Sequence, residues 1–179
     1  NSISKIEGVW EPGHYFVFVD GNDGQSGAFR LTTSLASVPT LADACRGAKP
    51  LSLVQPTNGN SSKAFNLTSA ACADGTKGPE IPYSLEIPVA ARVRVEERAS
   101  GFSPAVHLRR ECERDDTEIA CNDDALTDGA AVFTGALAAG RYFVFADSTD
   151  AEDGGAFSVE VETDVEPGTG VAGDACSSA

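Results

Sequence analysis

One eight-residue string occurs twice in this chain, and the repeat limits what the rest can fold into. Gly13-His-Tyr-Phe-Val-Phe-Val-Asp20 returns as Gly140-Arg-Tyr-Phe-Val-Phe-Ala-Asp147, differing only at its second and seventh positions. Each copy is followed by a polar loop and a Gly-Ala-Phe string, Gly27 to Phe29 and Gly155 to Phe157. The first glycines are offset by 127 residues (140 − 13) and the second by 128 (155 − 27), a slack that a surface loop tolerates. Asp43-Ala-Cys45 echoes as Asp174-Ala-Cys176 at an offset of 131 (174 − 43). Two β-rich runs joined by an acidic Gly/Asn/Ser loop read as a β-hairpin. The expected organisation is therefore a closing hairpin of one repeat over 1–36, packed on the next unit. A complete repeat follows over 37–165, with a linker and the start of another over 166–179.

The run Tyr15 to Val19 is apolar at every position, so it belongs to a strand covered on both faces. Elsewhere the pattern alternates. In Ala91 to Glu96 it sends Val93 and Val95 inward and Arg92, Arg94 and Glu96 to water. Val106 and Leu108 point inward in Ala105 to Arg109, which leaves His107 on the outward face. Ile81, Tyr83, Leu85 and Ile87 share one face, with Pro82 marking an edge or a strand start. Leu51 to Val54 reads as a short strand, Thr57 to Ser62 as a loop, and Ser34 to Leu41 as a linker. No segment longer than about ten residues has a helical period, so the fold class is all-β, a jelly-roll-like antiparallel β-sandwich.

Charge narrows the partners. Thirteen basic against 27 acidic side chains give a net charge of −14, which repels phosphate backbones and argues against nucleic acid. No apolar run has the roughly 18 residues of a membrane helix, and no signal-peptide pattern opens the chain; a secreted parent would already have lost it. The acidity has two readings. One is a solubilising surface; the other is carboxylates gathered for a hard cation such as calcium. Five cysteines point to an oxidising compartment. Cys112 and Cys121 bracket a turn-like segment, and Cys45 and Cys72 flank the first third of the repeat. The expected bridges are Cys112–Cys121 and Cys45–Cys72. Cys176 is left over, with its partner beyond the last residue.

These residues carry a resemblance. Asp43 to Cys45, Pro79-Glu-Ile-Pro-Tyr-Ser-Leu85, Val106-His-Leu-Arg-Arg-Glu-Cys112, Glu118-Ile-Ala-Cys-Asn-Asp-Asp124 and Leu137 to Asp147 together resemble the bacterial pre-peptidase C-terminal domain. The version resembled is the cysteine-containing one found in tandem on myxobacterial secreted and surface proteins. The likeness runs in order over 43–161 and again over 10–33. It implies a jelly-roll-like sandwich, export, and a non-catalytic accessory role. Some relatives of the wider group bind calcium. Ala99 to Pro104 lacks the aspartate typical of that segment, so no cation site carries over to that loop.

Chemistry at the residue level agrees with an accessory role. His14 and His107 have no nucleophile motif such as Gly-x-Ser-x-Gly beside them, and no cysteine carries the signature of an activated thiol. The Asx-rich loops serve turns as readily as ions. The candidate calcium ligands are Asp123 and Asp124, joined by Asp147 and Asp150 at one end of the sandwich. The expected function is a secreted or bacterial surface module, not an enzyme, for adhesion, targeting or spacing. Its partners would be neighbouring repeats and an extracellular protein or polysaccharide. The alternative is an accessory C-terminal appendage that helps an exported protease or glycosidase to fold or be secreted.

Overall fold

The computed structural model describes residues 4–8, 10, 12–72, 76–123, 129–151 and 153–164. It divides into two units, Asn1–Val38 and Pro39–Ala179. The second opens with a helix, α1 (Leu41–Arg46), which begins at the last residue of the stretch read as a linker. Its start is a capping box: the Asp43 N–H donates to Thr40 Oγ1 at 3.1 Å, and the Thr40 N–H donates to the Asp43 carboxylate at 3.0 Å. Two turns of helix are too short for sequence periodicity to register.

Among the described residues nine strands follow: β1 (Lys49–Pro50), β2 (Thr57–Asn60), β3 (Ile81–Ile87), β4 (Ala91–Ala99), β5 (Pro104–Arg109), β6 (Glu118–Asp123), β7 (Ala130–Leu137), β8 (Gly140–Ser148) and β9 (Ala156–Asp164). They form two sheets in the orders β1-β3-β8-β5-β6 and β2-β9-β4-β7. Every pairing among them is antiparallel except β1 with β3. The all-β sandwich expected from alternation is the fold.

The core between the sheets follows the alternation. Tyr83, Leu85 and Ile87 of β3, Val93 and Val95 of β4, and Val106 and Leu108 of β5 meet Tyr142, Val144 and Ala146 of β8 and Phe157, Val159 and Val161 of β9. The opposite face of β4 carries a charge ladder. Arg94 and Arg98 both pair with Glu96, and Arg94 also lies 3.6 Å from its cross-strand neighbour Glu162.

Two expectations change here. The repeated string and its Gly-Ala-Phe partner are not a hairpin: β8 lies in the centre of the five-stranded sheet, and β9 lies in the other sheet. The loop between them crosses from one layer to the other. The disulfides also pair differently, as Cys45–Cys112 and Cys72–Cys121. The β5–β6 ladder explains why. Cys121 sits opposite His107 within the ladder, whereas Cys112 lies in the turn beyond Arg109 and Glu118, several residues along the strand axis. The two cannot meet, so Cys112 takes Cys45 of α1 and Cys121 takes Cys72 from the segment over the sheet. Cys176 lies outside the described residues.

Among the described residues of the first unit there is no strand ladder, only a 3-10 turn at Asn22–Gly24 with Asp23 at φ 53°. Trp10 packs on Tyr15 with ring centroids 4.9 Å apart. Phe16, Phe18 and Phe29 are exposed at 85%, 88% and 70%.

Candidate functional site

The five-stranded sheet has a second, polar layer on the face turned away from the core. Strand register arranges it in rows. Pro82, Phe145, His107 and Cys121 form one row across β3, β8, β5 and β6. In the next row towards one end, Ala105 stands between Asp147 and Asp123, and Glu80 precedes β3 on the side of Asp147. In the row on the other side, Ser84, Phe143 and Arg109 lead to Glu118. A strap made of residues 64–72 and 76–80, including the bridge Phe65–Glu80, closes this layer from water.

Polar contacts hold the strap down. The Arg109 guanidinium donates to Thr68 Oγ1 at 2.7 Å and to the Ser69 carbonyl at 2.9 Å, and Asp115 lies 2.6 Å from it. The Ala71 N–H donates to Glu118 at 3.1 Å, and the Leu67 N–H donates to Glu80 Oε1 at 2.8 Å. The Cys72–Cys121 bridge fastens the same segment covalently. Alternation alone would leave His107 in water. It is outward with respect to the core, yet only 1% exposed, because the strap covers it. Its ring stacks on Phe145 at 4.4 Å and 17°, with Nε2 3.5 Å from Asp147 and Nδ1 3.6 Å from Glu118.

Burial sets the charge states of this layer. Burial, and then the Asp147 charge beside it, pushes the Glu80 carboxyl up to about 8. Glu97 of β4 sits on the core face of its strand and reaches across to the other sheet, where its Oε2 accepts the Asp147 N–H at 3.2 Å. Burial holds it well above the ordinary carboxylate range; the Asp147 N–H opposes this and the Asp147 charge adds to it. Among the described residues, Glu80 Oε2, Glu97 Oε1 and Asp147 Oδ2 have no hydrogen-bond partner. For Glu118 burial works upward, but His107 and the Ala71 N–H outweigh it and lower the carboxyl below its usual value.

A cleft of about 470 Å³ opens where the edge strands β1 and β2 lie, lined by Lys49, Thr57, Asn58, Asn60, Pro82 and Tyr83. Gly59 belongs to its wall, where a Cβ would overlap the Phe157 ring and the Tyr83 hydroxyl. Tyr83 in turn meets Phe157 edge-on at 6.3 Å. The cleft thus presents amides, a hydroxyl and one ammonium around a phenol.

No family model and no curated protein matches the chain. Solved structures do. The pre-peptidase C-terminal domain of a collagenase from Bacillus anthracis is 12% identical, with a TM-score of 0.47 over 64% of this chain and 93% of that one. PliG, a periplasmic inhibitor of g-type lysozyme from Aeromonas hydrophila, is 16% identical, with a TM-score of 0.44 over 65% and 95%. A family 35 carbohydrate-binding module from Cellvibrio japonicus Abf62 is 15% identical, with a TM-score of 0.34 over 59% and 81%. At these identities the likeness concerns fold alone.

The candidate calcium ligands are not gathered into one group. Asp147 is buried against His107 and Glu97, Asp123 lies two strands away across Ala105, and Asp124 falls outside the described residues. Asp150 stands on the exposed loop after β8, where its backbone meets Ser148. Among the described residues no three His, Cys, Asp or Glu side chains converge closely enough to hold a metal ion. Sequence reasoning missed Glu80, Glu97 and Arg109. Glu97 carried a signal, since it follows Val93 and Val95 in a strictly alternating strand and must share their face.

Proposed function

We propose that this chain is a non-catalytic extracellular β-sandwich module serving adhesion, targeting or spacing within a larger secreted or surface protein. The observation that carries the reading is how its reactive groups are placed. The histidine of the sandwich and the carboxylates around it lie beneath a disulfide-tied strap, against an aromatic ring, where no substrate reaches them. Two disulfides suit an oxidising compartment. Among the described residues no helix is long and apolar enough to cross a membrane. The cleft between the edge strands stays open to a partner, and its amides, hydroxyl and ammonium around a phenol suit the hydroxyls of a polysaccharide or the backbone of an extended protein segment.

Sedimentation of the purified chain with insoluble polysaccharides and fibrillar proteins tests this. Saturable retention that falls at least about tenfold in Lys49→Ala/Asn58→Ala/Asn60→Ala is the expected result for contact through the cleft. Retention that this triple variant leaves unchanged removes the cleft from the account, and turnover of any offered polymer removes the non-catalytic reading.

A further inference from the structure

The two repeated strings take different layers of the sandwich, and this changes what residues 13–31 require. We infer that these residues are the closing pair of strands of a second sandwich of the same kind. Gly13–Asp20 would lie at the centre of one of its sheets and Gly27–Leu31 within the other, and their partner is a set of strands equivalent to β1–β7.

Position by position, Tyr15, Val17 and Val19 correspond to Tyr142, Val144 and Ala146, all buried in the core. Phe16 and Phe18 correspond to Phe143 and Phe145, on the face that the strap covers. Asp20 corresponds to Asp147, which meets a histidine from β5 and a glutamate from β4. Phe29 and Leu31 correspond to Phe157 and Val159 of β9, which pairs with β2 on one side and β4 on the other. β8 likewise pairs with β3 on one side and β5 on the other. A sequence apolar on both faces is therefore the mark of a strand that is flanked on both edges and covered on both faces.

In the first unit those same residues meet none of this. Phe16, Phe18, Phe29 and Leu31 are more than half exposed, and no ladder joins them among the described residues. Adding such a strand to a sheet edge would cover one edge and leave Phe16 and Phe18 in water. A second sandwich of this kind covers all of it, and its β5- and β4-like strands would bring to Asp20 the histidine and carboxyl that Asp147 already has.

Hydrogen exchange read by mass spectrometry tests this on the whole chain and on a tandem chain in which a copy of residues 39–139 is joined to Gly13 of residues 13–179. In the unmodified chain, amides of 13–31 are expected to exchange as fast as an unstructured peptide while those of 140–161 are protected. In the tandem chain, exchange of 13–31 is expected to slow by at least about 100-fold. Phe18→Asp should abolish that gain and leave 140–161 protected, which shows that the original sandwich is intact. Protection of 13–31 already in the unmodified chain, or no gain in the tandem chain, overturns the inference.

Discussion

Replacing Glu80 by glutamine should flatten much of the dependence of stability on pH between 5 and 8. The folded protein holds this carboxyl at about 8, against an ordinary value of 4.5. The folded state thus binds the proton more tightly than the unfolded one, and stability falls as pH rises through the window between the two values. From pH 5 to pH 8 the difference in proton binding amounts to about 3.5 kcal/mol, or roughly 1.4 kcal/mol per pH unit in the middle of the window. For a sandwich of this size that is a fall in melting temperature on the order of 10 °C. The glutamine mimics the protonated acid, since its amide oxygen can still accept the Leu67 N–H, so at pH 5 the variant should lie within about 1 kcal/mol of the parent. At pH 8 it should be the more stable of the two by about 3 kcal/mol. Urea unfolding followed by far-ultraviolet circular dichroism at half-unit pH steps measures both. Glu97 adds a fall of the same sign, so the parent's slope alone decides little, and the difference between the two profiles isolates Glu80. Parallel profiles would refute the reasoning, and so would a variant less stable than the parent at pH 8.

The Cys72–Cys121 bridge closes a loop of 49 residues, and Cys45–Cys112 one of 67. Loop-closure entropy puts each at about 4 kcal/mol, so Cys72→Ser/Cys121→Ser should lower stability by that order and speed exchange of the Ala71 N–H; a loss under about 1 kcal/mol would contradict the strap's role. Non-reducing peptide mapping should recover the 45–112 and 72–121 pairs. Among the described residues no three His, Cys, Asp or Glu side chains form a metal-holding group, so calcium binding by those residues alone predicts melting temperatures within about 1 °C with millimolar calcium and with chelator; a larger rise with calcium would show a site that includes other residues.

Alternation made the sandwich legible, because a strand with one face in the core writes that face into every second residue. Val93 and Val95, Val106 and Leu108, and the four apolar positions of Ile81 to Ile87 all pack where it predicts. Three kinds of element escaped. Thr57-Asn-Gly-Asn60 has a loop's composition, yet it pairs with β9 over all four residues, since Gly59 yields its space to Phe157 and Tyr83. The capped helix α1 is too short to show a period. The polar layer escaped because its cause is non-local: His107 is outward by its own strand's logic, and only the strap, 27 to 43 residues earlier in the chain, makes it buried. The disulfides failed for the same reason. Nearness in sequence suggested Cys112 with Cys121, whereas the β5–β6 ladder sets them at different heights and offers each a partner from another layer.

The edges of the sandwich bear on where an exposed apolar strand can go. On the cleft side, β1 covers β3 over only Lys49 and Pro50, opposite Tyr83 and Ser84, and Pro82 beside them has no N–H to offer. The other strand there, β2, is four residues long and exposes Asn58 and Asn60. At the opposite edge, β6 is pinned through Cys121 and Glu118 to the strap. Short, polar or tethered edges are how sheet proteins discourage strand addition. A strand such as Tyr15 to Val19 would gain ladder partners for only two to four residues at β1 or β2, and addition at any edge, β6 and the eight-residue β7 included, would pair it on one side alone. A five-residue run that is apolar on both faces pairs well only inside a sheet, and the arrangement around β8 shows what such a sheet looks like: an ordered strand on each side, a core below and a strap above.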